Sequence, residues 1–482
     1  MAESSSSRNI LTSLKDKLHL RSSNEDTQNA PGTTGEQSQD PEAARKERGS
    51  HILKVFDNAF GDLLKRDPGA FQTKFRKMAS SPFAFYRGSA PLFYSDLEAE
   101  NTHGPYLDEK TSRIWVHGDL HAENFGTYMD SQGRLIFNVN DFDEAYIGPF
   151  TWDLYRLVAA LALLGYGKAL SDDQISDLVT TCAKGYRERI RLLATRRDEA
   201  KRFGLDRSEG PILKVLKEAR VQSRVKTLDG STKVVDGERT FERGKKVVEL
   251  EDDMKKKLEA GFKSYLDTLP PNLRKGSCRI KDMIGRKGVG IGSAGIPSYD
   301  LLVEGDTEAL EYDRIIFLKQ SQPSAVSRHV DVPEARAYFK HEGHRTVISQ
   351  RALQDHAGLW VGWTEIDGTG YMVSEDSPYA IDLEWGDIND FDEIKKVVED
   401  LGQATAMMHG AADEDSQQSG LVKFSTEKAI DAAIAKDEAG FAPLLLEFAH
   451  GYASKVRDDH ALFVDMYRNG QMLGLPNQGD AE

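Results

Sequence analysis

The chain has 482 residues, 39% of them hydrophobic, and a formal net charge of −15. That length exceeds what one hydrophobic core usually supports, and points to two cooperating lobes plus some unstructured sequence. The acid excess speaks against nucleic-acid binding, and two cysteines, Cys182 and Cys278, are too few for a disulfide framework and fit a cytoplasmic protein.

Residues 1–48 are rich in Ser, Gln, Glu, Thr and Gly with almost no aromatics, which predicts a disordered tail. Glu3 and the lack of an apolar core argue against a secretory signal; an amphipathic organelle-targeting segment is the alternative. Residues 49–277 read as the first part of a mainly helical lobe, opening with Ile52, Leu53, Val55, Phe56, Phe60 and Leu63 at helical spacing. The aromatic stretch 81–97 reads as a core loop around a buried Arg87. Short β-like runs follow over 113–143. Leu154, Leu157, Val158, Leu161 and Leu164 then trace one face of a helix. The apolar run 157–164 is far short of the ~20 residues of a membrane span, so no membrane partner is expected. Residues 188–258 are charged and mostly helical in composition, interrupted by turns at Asp229-Gly230 and Asp236-Gly237. Residues 278–385 read as a β-rich lobe with a helical stretch near 333–355. Residues 386–482 return to the helical lobe, with helices at about 391–410, 426–436 and 442–468.

Chemistry concentrates first in His117-Gly118-Asp119-Leu120-His121-Ala122-Glu123-Asn124. An aspartate and an asparagine five positions apart in a loop suit phosphoryl transfer: Asp119 can orient or deprotonate an attacking hydroxyl, and Asn124 offers a neutral oxygen to Mg²⁺. A second acid stands in Asn140-Asp141-Phe142-Asp143-Glu144. Between the two, 125–129 reads as a strand, 130–133 as a turn and 134–140 as the returning strand, with Leu135, Phe137 and Val139 on its buried face. Such a hairpin sets Asn124 beside Asp141, where they can share a cation with help from Asp143. The competing readings are turn-capping acids and a zinc site on His117 and His121, which the loop context disfavours.

A phosphate-binding partner is sought in the glycine-rich segment 285–297, where Gly290, Gly292 and Gly295 fit G-x-G-x-x-G and Ser293 lies between them. Alone this is a weak signal. The strand-like runs 299–303 and 314–319 that follow place Lys319 where it can neutralise phosphates beneath that loop. Glu334 and Glu342 are both candidates to hold the lysine. Phe391, Ile394, Val397, Val398, Leu401, Ala404 and Met408 form an amphipathic stripe ending in Met408-His409-Gly410.

HGDLHAEN followed by NDFDEAYIGPFTWDL resembles the catalytic and metal-binding segment of aminoglycoside phosphotransferases and, more distantly, protein kinases. The resemblance implies that Asp119 is the catalytic aspartate, Asn124 and Asp141 the metal ligands, and Asp153 a structural acid tying the next helix to the loop. A Met-His helix that no catalytic loop follows implies a circular permutation. The whole order, with SPFAFYRG, GVGIGSAG, LKQSQPSAV and FAHGYASKVRDDHALF, resembles the domain of unknown function 2252 family over most of 49–468. Against that family's pattern, Ile348 stands where the helix after the lysine usually carries a glutamate, and Gln320 where an acid is common. The expected architecture is therefore α+β, a two-lobed protein-kinase-like fold in permuted order. The expected activity is an ATP- and Mg²⁺-dependent phosphotransferase acting on a small-molecule or protein acceptor. The alternatives are AMP transfer to protein by the same site and a degenerate nucleotide-binding scaffold.

Overall fold

The structure, a computed structural model, describes residues 40–472 apart from 101–103, 197–201, 276–277, 288–291, 293, 415 and 417–419. Helix α1 (Pro41–Arg66) starts where Asp40 accepts the Glu42 N–H at 3.2 Å and Pro41 takes the first turn. Residues 41–48 are therefore helical, ahead of the border expected at 49, while residues 1–39 of the expected tail lie outside the described part. Helix α2 (Pro68–Met78) follows. The stretch expected as a core loop is instead two short helices, α3 (Pro82–Gly88) and α4 (Ala90–Ala99). Ser81 caps the first at 3.1 Å, and each has a proline in its first turn, a start signal that outweighs the crowd of aromatics. Arg87 is not buried among them; it pairs with Glu123 and stays about a third exposed.

Strands β1 (Ile114–Val116), β2 (Phe125–Met129), β3 (Leu135–Val139) and β4 (Tyr146–Gly148) come next. β2 and β3 form an antiparallel hairpin from Phe125↔Val139 to Met129↔Leu135. Its turn is fixed by Asp130, whose Oδ1 accepts the N–H groups of Gln132 and Arg134 at 2.9 and 2.8 Å. Then follow α5 (Phe150–Gly167), α6 (Asp172–Thr195), β5 (Phe203–Gly204), α7 (Gly210–Arg220) and α8 (Arg224–Ser231). Two-residue turn chemistry at Asp236-Gly237, φ +50° and +84°, joins β6 (Thr232–Val235) to β7 (Glu238–Phe241) in a segment expected to be mostly helical. Asp229-Gly230, expected as a turn, lies inside α8.

The largest sheet is antiparallel and six-stranded. It takes β8 (Val247–Val248), β9 (Ile280–Arg286), β10 (Ser298–Val303), β11 (Arg314–Gln320), β12 (Gly362–Ile366) and β13 (Thr369–Glu375) in the order β12-β13-β11-β10-β9-β8. Leu301, Ile316, Leu318 and Val373 of this sheet bury against Leu258, Phe262 and Tyr265 of α9 (Asp252–Leu266). Helices α10 (Pro333–Tyr338) and α11 (Glu342–Leu353) lie between β11 and β12 in sequence. The chain ends with α12 (Phe391–Ala411), α13 (Thr426–Ala435) and α14 (Glu438–Arg468).

Early and late helices share one large core, in which Phe56, Phe75, Leu157 and Tyr186 join Leu401 and Phe463. Arg48 of α1 fastens it by pairing with Asp96 of α4 at 2.7 Å and Asp459 of α14 at 2.5 Å. Helices α6 and α12 cross backbone to backbone at two glycines. A Cβ on Gly185 would sit 2.5 Å from Glu399 O, and one on Gly402 2.2 Å from Cys182 O. The protein is thus mixed α+β, with the main sheet inserted between two halves of a helical body. Among the described residues no helix is long and apolar enough to cross a membrane.

Candidate active site

The loop after β1 turns at Gly118, whose φ of +79° and lack of a side chain are both required, because a Cβ there would lie 2.2 Å from Glu144 O. Asp153, in the first turn of α5, is fully buried and accepts the N–H groups of His117 and Gly118 at 2.7 and 2.9 Å. The same carboxylate meets His409 Nε2 of α12 at 3.2 Å, and the other nitrogen of that ring meets Tyr186 Oη at 2.8 Å. Tyr94 donates to Gly118 O at 2.6 Å, and His117 Nε2 meets Asn140 O at 2.9 Å.

So held, the loop presents Asp119 with its side chain one-fifth exposed. Arg156, fully buried on α5, approaches Asp119 Oδ1 through Nε at 2.7 Å and Nη2 at 2.6 Å. Its guanidinium lies over the rings of Tyr86 and Phe93. Asp119 Oδ2 lies 3.8 Å from His121 Nε2. Burial drives that imidazole's pKa well below its ordinary value, so it is neutral. Asn124 donates through Nδ2 to Asp119 O at 2.8 Å, which leaves its Oδ1 as an acceptor.

Asn140 N–H donates to Asn124 O at 2.8 Å, so the open ends of the β2–β3 hairpin lie side by side. Asp141 then takes a left-handed backbone, φ +59°, rare for a non-glycine residue. Lys319, on β11, forms an ion pair with Asp143 Oδ2 and stands 3.9 Å from Asp141 Oδ1. Burial opposes charge on Lys319, but Asp141, Asp143 and Glu144 outweigh it and hold the lysine's pKa above its ordinary value. Burial raises Asp143 in turn. Its Oδ1 is sealed from solvent and has no hydrogen-bond partner among the described residues. Glu144 is pushed up to about 7 by burial, and its carboxylate accepts the Ala325 N–H. Ser324 donates to Glu144 O at 2.7 Å, docking the segment after β11 on the same turn.

Neither glutamate expected to hold Lys319 does so. Glu334 pairs with Arg113 at 2.6 Å on the surface, and Glu342 with Arg345 at 2.5 Å, its neighbour one turn along α11. Ile348 faces the core. Lys319 is instead matched by the hairpin acids, and α11 grips that segment through Arg345, which donates to Asp143 O and Gln322 O at 2.8 Å and to Ala145 O at 2.7 Å. Gly295, φ +70°, packs its end of the glycine-rich segment near Phe71 and Leu63, and Gly292 is exposed beside a cavity that Asp143 and Glu144 also line. Gly290 and Ser293 lie outside the described residues. Arg156 and Lys74 were not singled out from sequence, although both leave a mark there. Arg156 is the lone cation within an otherwise apolar helix that opens with Asp153, and Lys74 falls on the stripe Phe71, Phe75, Met78.

Asn124 Oδ1, Asp141 and Asp143 make a hard oxygen set, and the orphaned Oδ1 of Asp143 is the kind of buried acceptor that a divalent cation satisfies. The residues therefore fit Mg²⁺.

Fold and site together define a mixed α+β protein in which a lysine of the main sheet is paired with carboxylates at the end of a hairpin. The chain belongs to the family described as "Uncharacterized protein conserved in bacteria (DUF2252)", whose sequence profile matches residues 66–466. No curated protein and no solved structure matches it.

Proposed function

We propose that the protein is an ATP- and Mg²⁺-dependent phosphotransferase of permuted protein-kinase-like architecture, acting on a hydroxyl- or amine-bearing acceptor. The observation that carries this reading is the meeting of Lys319 with Asp143, and with Asp141 at 3.9 Å, because these groups come from distant parts of the chain. The order of the five main sheet strands, with the lysine strand central and a helix following it, supports the same reading. Asn124, Asp141 and Asp143 would hold the cation, and Lys319 would face the phosphates. Mg·ATP supplies the transferable γ-phosphoryl group when bound. Asp119, positioned by Arg156, takes the proton from the acceptor as the acceptor oxygen or nitrogen forms its bond to phosphorus and the bridging P–O bond breaks, releasing ADP.

One observation favours a second reading, a nucleotide-binding scaffold without turnover: Arg156 already engages Asp119 Oδ1. The two part in a screen of hydroxylated and aminated metabolites with ATP labelled at either the α or the γ phosphorus. The phosphotransferase transfers only the γ label, and Asp119→Asn lowers turnover about a hundredfold or more while the fold survives. Transfer of the α label instead indicates AMP transfer. Full turnover in the variant refutes the assignment of Asp119, and calorimetric binding of Mg·ATP with no transfer to any acceptor leaves the scaffold.

A further inference from the structure

Three acidic side chains, Asp141, Asp143 and Glu144, act on Lys319, and Asp143 already pairs with it. A polyanion entering beside them needs positive charge beyond that lysine. We propose that Lys74, on α2, is a second anion-binding residue of the cleft and contacts the phosphates of a polyphosphate ligand. This rests on the phosphate-site reading of the cleft but not on transfer.

The placement of Lys74 is the evidence. Its side chain is 3% exposed, and it lines the cavity that also takes Asp143, Glu144, Gly292 and Ala294. On its other side Lys74 borders a second, open cavity of about 510 Å³, which shares Ala294 and Ile296 with the first. Arg66, Lys77 and Lys287 stand exposed around this second cavity. In a chain of net charge −15, such a cationic rim gives an anion a favourable approach to the buried amine. Lys74 Nζ lies 4.3 Å from the ring centre of Phe60, and Leu63 and Phe71 line the same wall. Burial pushes the amine down to about 8 despite the opposing influence of Glu144 and Asp119, so a bound anion would stabilise its charged form.

The test is calorimetric titration of the full chain with sodium tripolyphosphate in the presence of Mg²⁺. Lys74→Met and Lys74→Gln are expected to weaken binding tenfold or more, while Lys74→Arg and the rim variant Lys77→Met stay within about threefold of wild type. Urea midpoints establish that each variant is folded, and the Met and Gln replacements give two independent neutral substitutes of similar length. Unchanged affinity in a folded Met or Gln variant overturns the inference. The two readings fail separately. Wild type that transfers phosphate while Lys74→Met binds tripolyphosphate normally refutes only the role of Lys74. A weakened Lys74→Met in a protein that transfers nothing refutes only the transferase.

Discussion

Replacing Lys319 by methionine probes the contact on which the cleft depends, and its effect can be sized from the structure. The lysine side chain is 13% exposed and that of Asp143 27%, between the limits of a buried and a surface ion pair. Removing one partner of a fully buried pair costs about 3–5 kcal/mol, whereas an exposed pair contributes about 0.5 kcal/mol. Discounted for this exposure, Lys319→Met should lower stability by about 2 kcal/mol, because it strands the acid in a poorly solvated turn. Asp143→Asn should cost less, about 1 kcal/mol, because Asp141 and Glu144 still face the ammonium. The double variant loses both charges at once and should be no less stable than either single variant. The coupling energy would then be about 2 kcal/mol. Urea unfolding of all four proteins in EDTA, followed by tryptophan fluorescence and circular dichroism, measures it. Effects that add to within about 0.4 kcal/mol would falsify the claim that these side chains interact, and with it the shared cleft.

Asp153→Asn should cost about 3 kcal/mol, since one amide oxygen replaces a charged carboxylate that serves two backbone N–H groups and His409; a shift of the urea midpoint equivalent to less than 1 kcal/mol would show that the loop is held by other means. Gly402→Ala, which in an open helix would stabilise by up to about 1 kcal/mol, should instead destabilise by about 2 kcal/mol, because the new methyl meets Cys182 O of α6; a rise in melting temperature would refute the backbone-to-backbone crossing. His344 is buried and pushed down to about 4, first by burial and then by His341, Lys340 and Arg351, so the fold keeps it neutral while the unfolded chain protonates it near 6.5. The unfolded state thus binds more protons between these values. The associated stability is complete above about pH 6.5 and is lost as pH falls towards 4, by about 3 kcal/mol in all. His344→Gln should flatten that part of the melting-temperature profile, and an unchanged slope would contradict the assignment.

The β2–β3 hairpin was legible in the sequence because a short apolar run follows a turn carrying Asp130 and Gly133, although β3 is buried on both faces, at Ile136 and Asn138 as well as at Leu135, Phe137 and Val139. The late helices were legible for a similar reason, long stripes at helical spacing. The helices α3 and α4 were not, since each is short and their aromatics leave no polar face to set a period. The β6–β7 hairpin hid behind charge: three of its four β6 residues are exposed, so no buried alternation marks the strand. Of the site, Asp119, Asn124 and Asp141 stood out because their spacing is local. The direct pairing of Asp143 with Lys319 did not, because an ion pair between residues 143 and 319 has no signature along the chain, and the glutamates expected to hold the lysine lie downstream of it. Arg345 acts through backbone carbonyls, which any sequence supplies.

The carboxylate of Asp153 gathers His117, Gly118 and His409, and Tyr186 completes the set through the histidine ring. During synthesis the aspartate and the loop leave the ribosome early, while the histidine emerges 256 residues after the aspartate. Until then the buried negative charge lacks its third ligand and α6 lacks the helix it crosses. The arrangement delays completion of the loop that carries Asp119 until nearly the whole polypeptide has been made, so a nascent fragment ending before α12 would carry the motif residues without the scaffold that sets them.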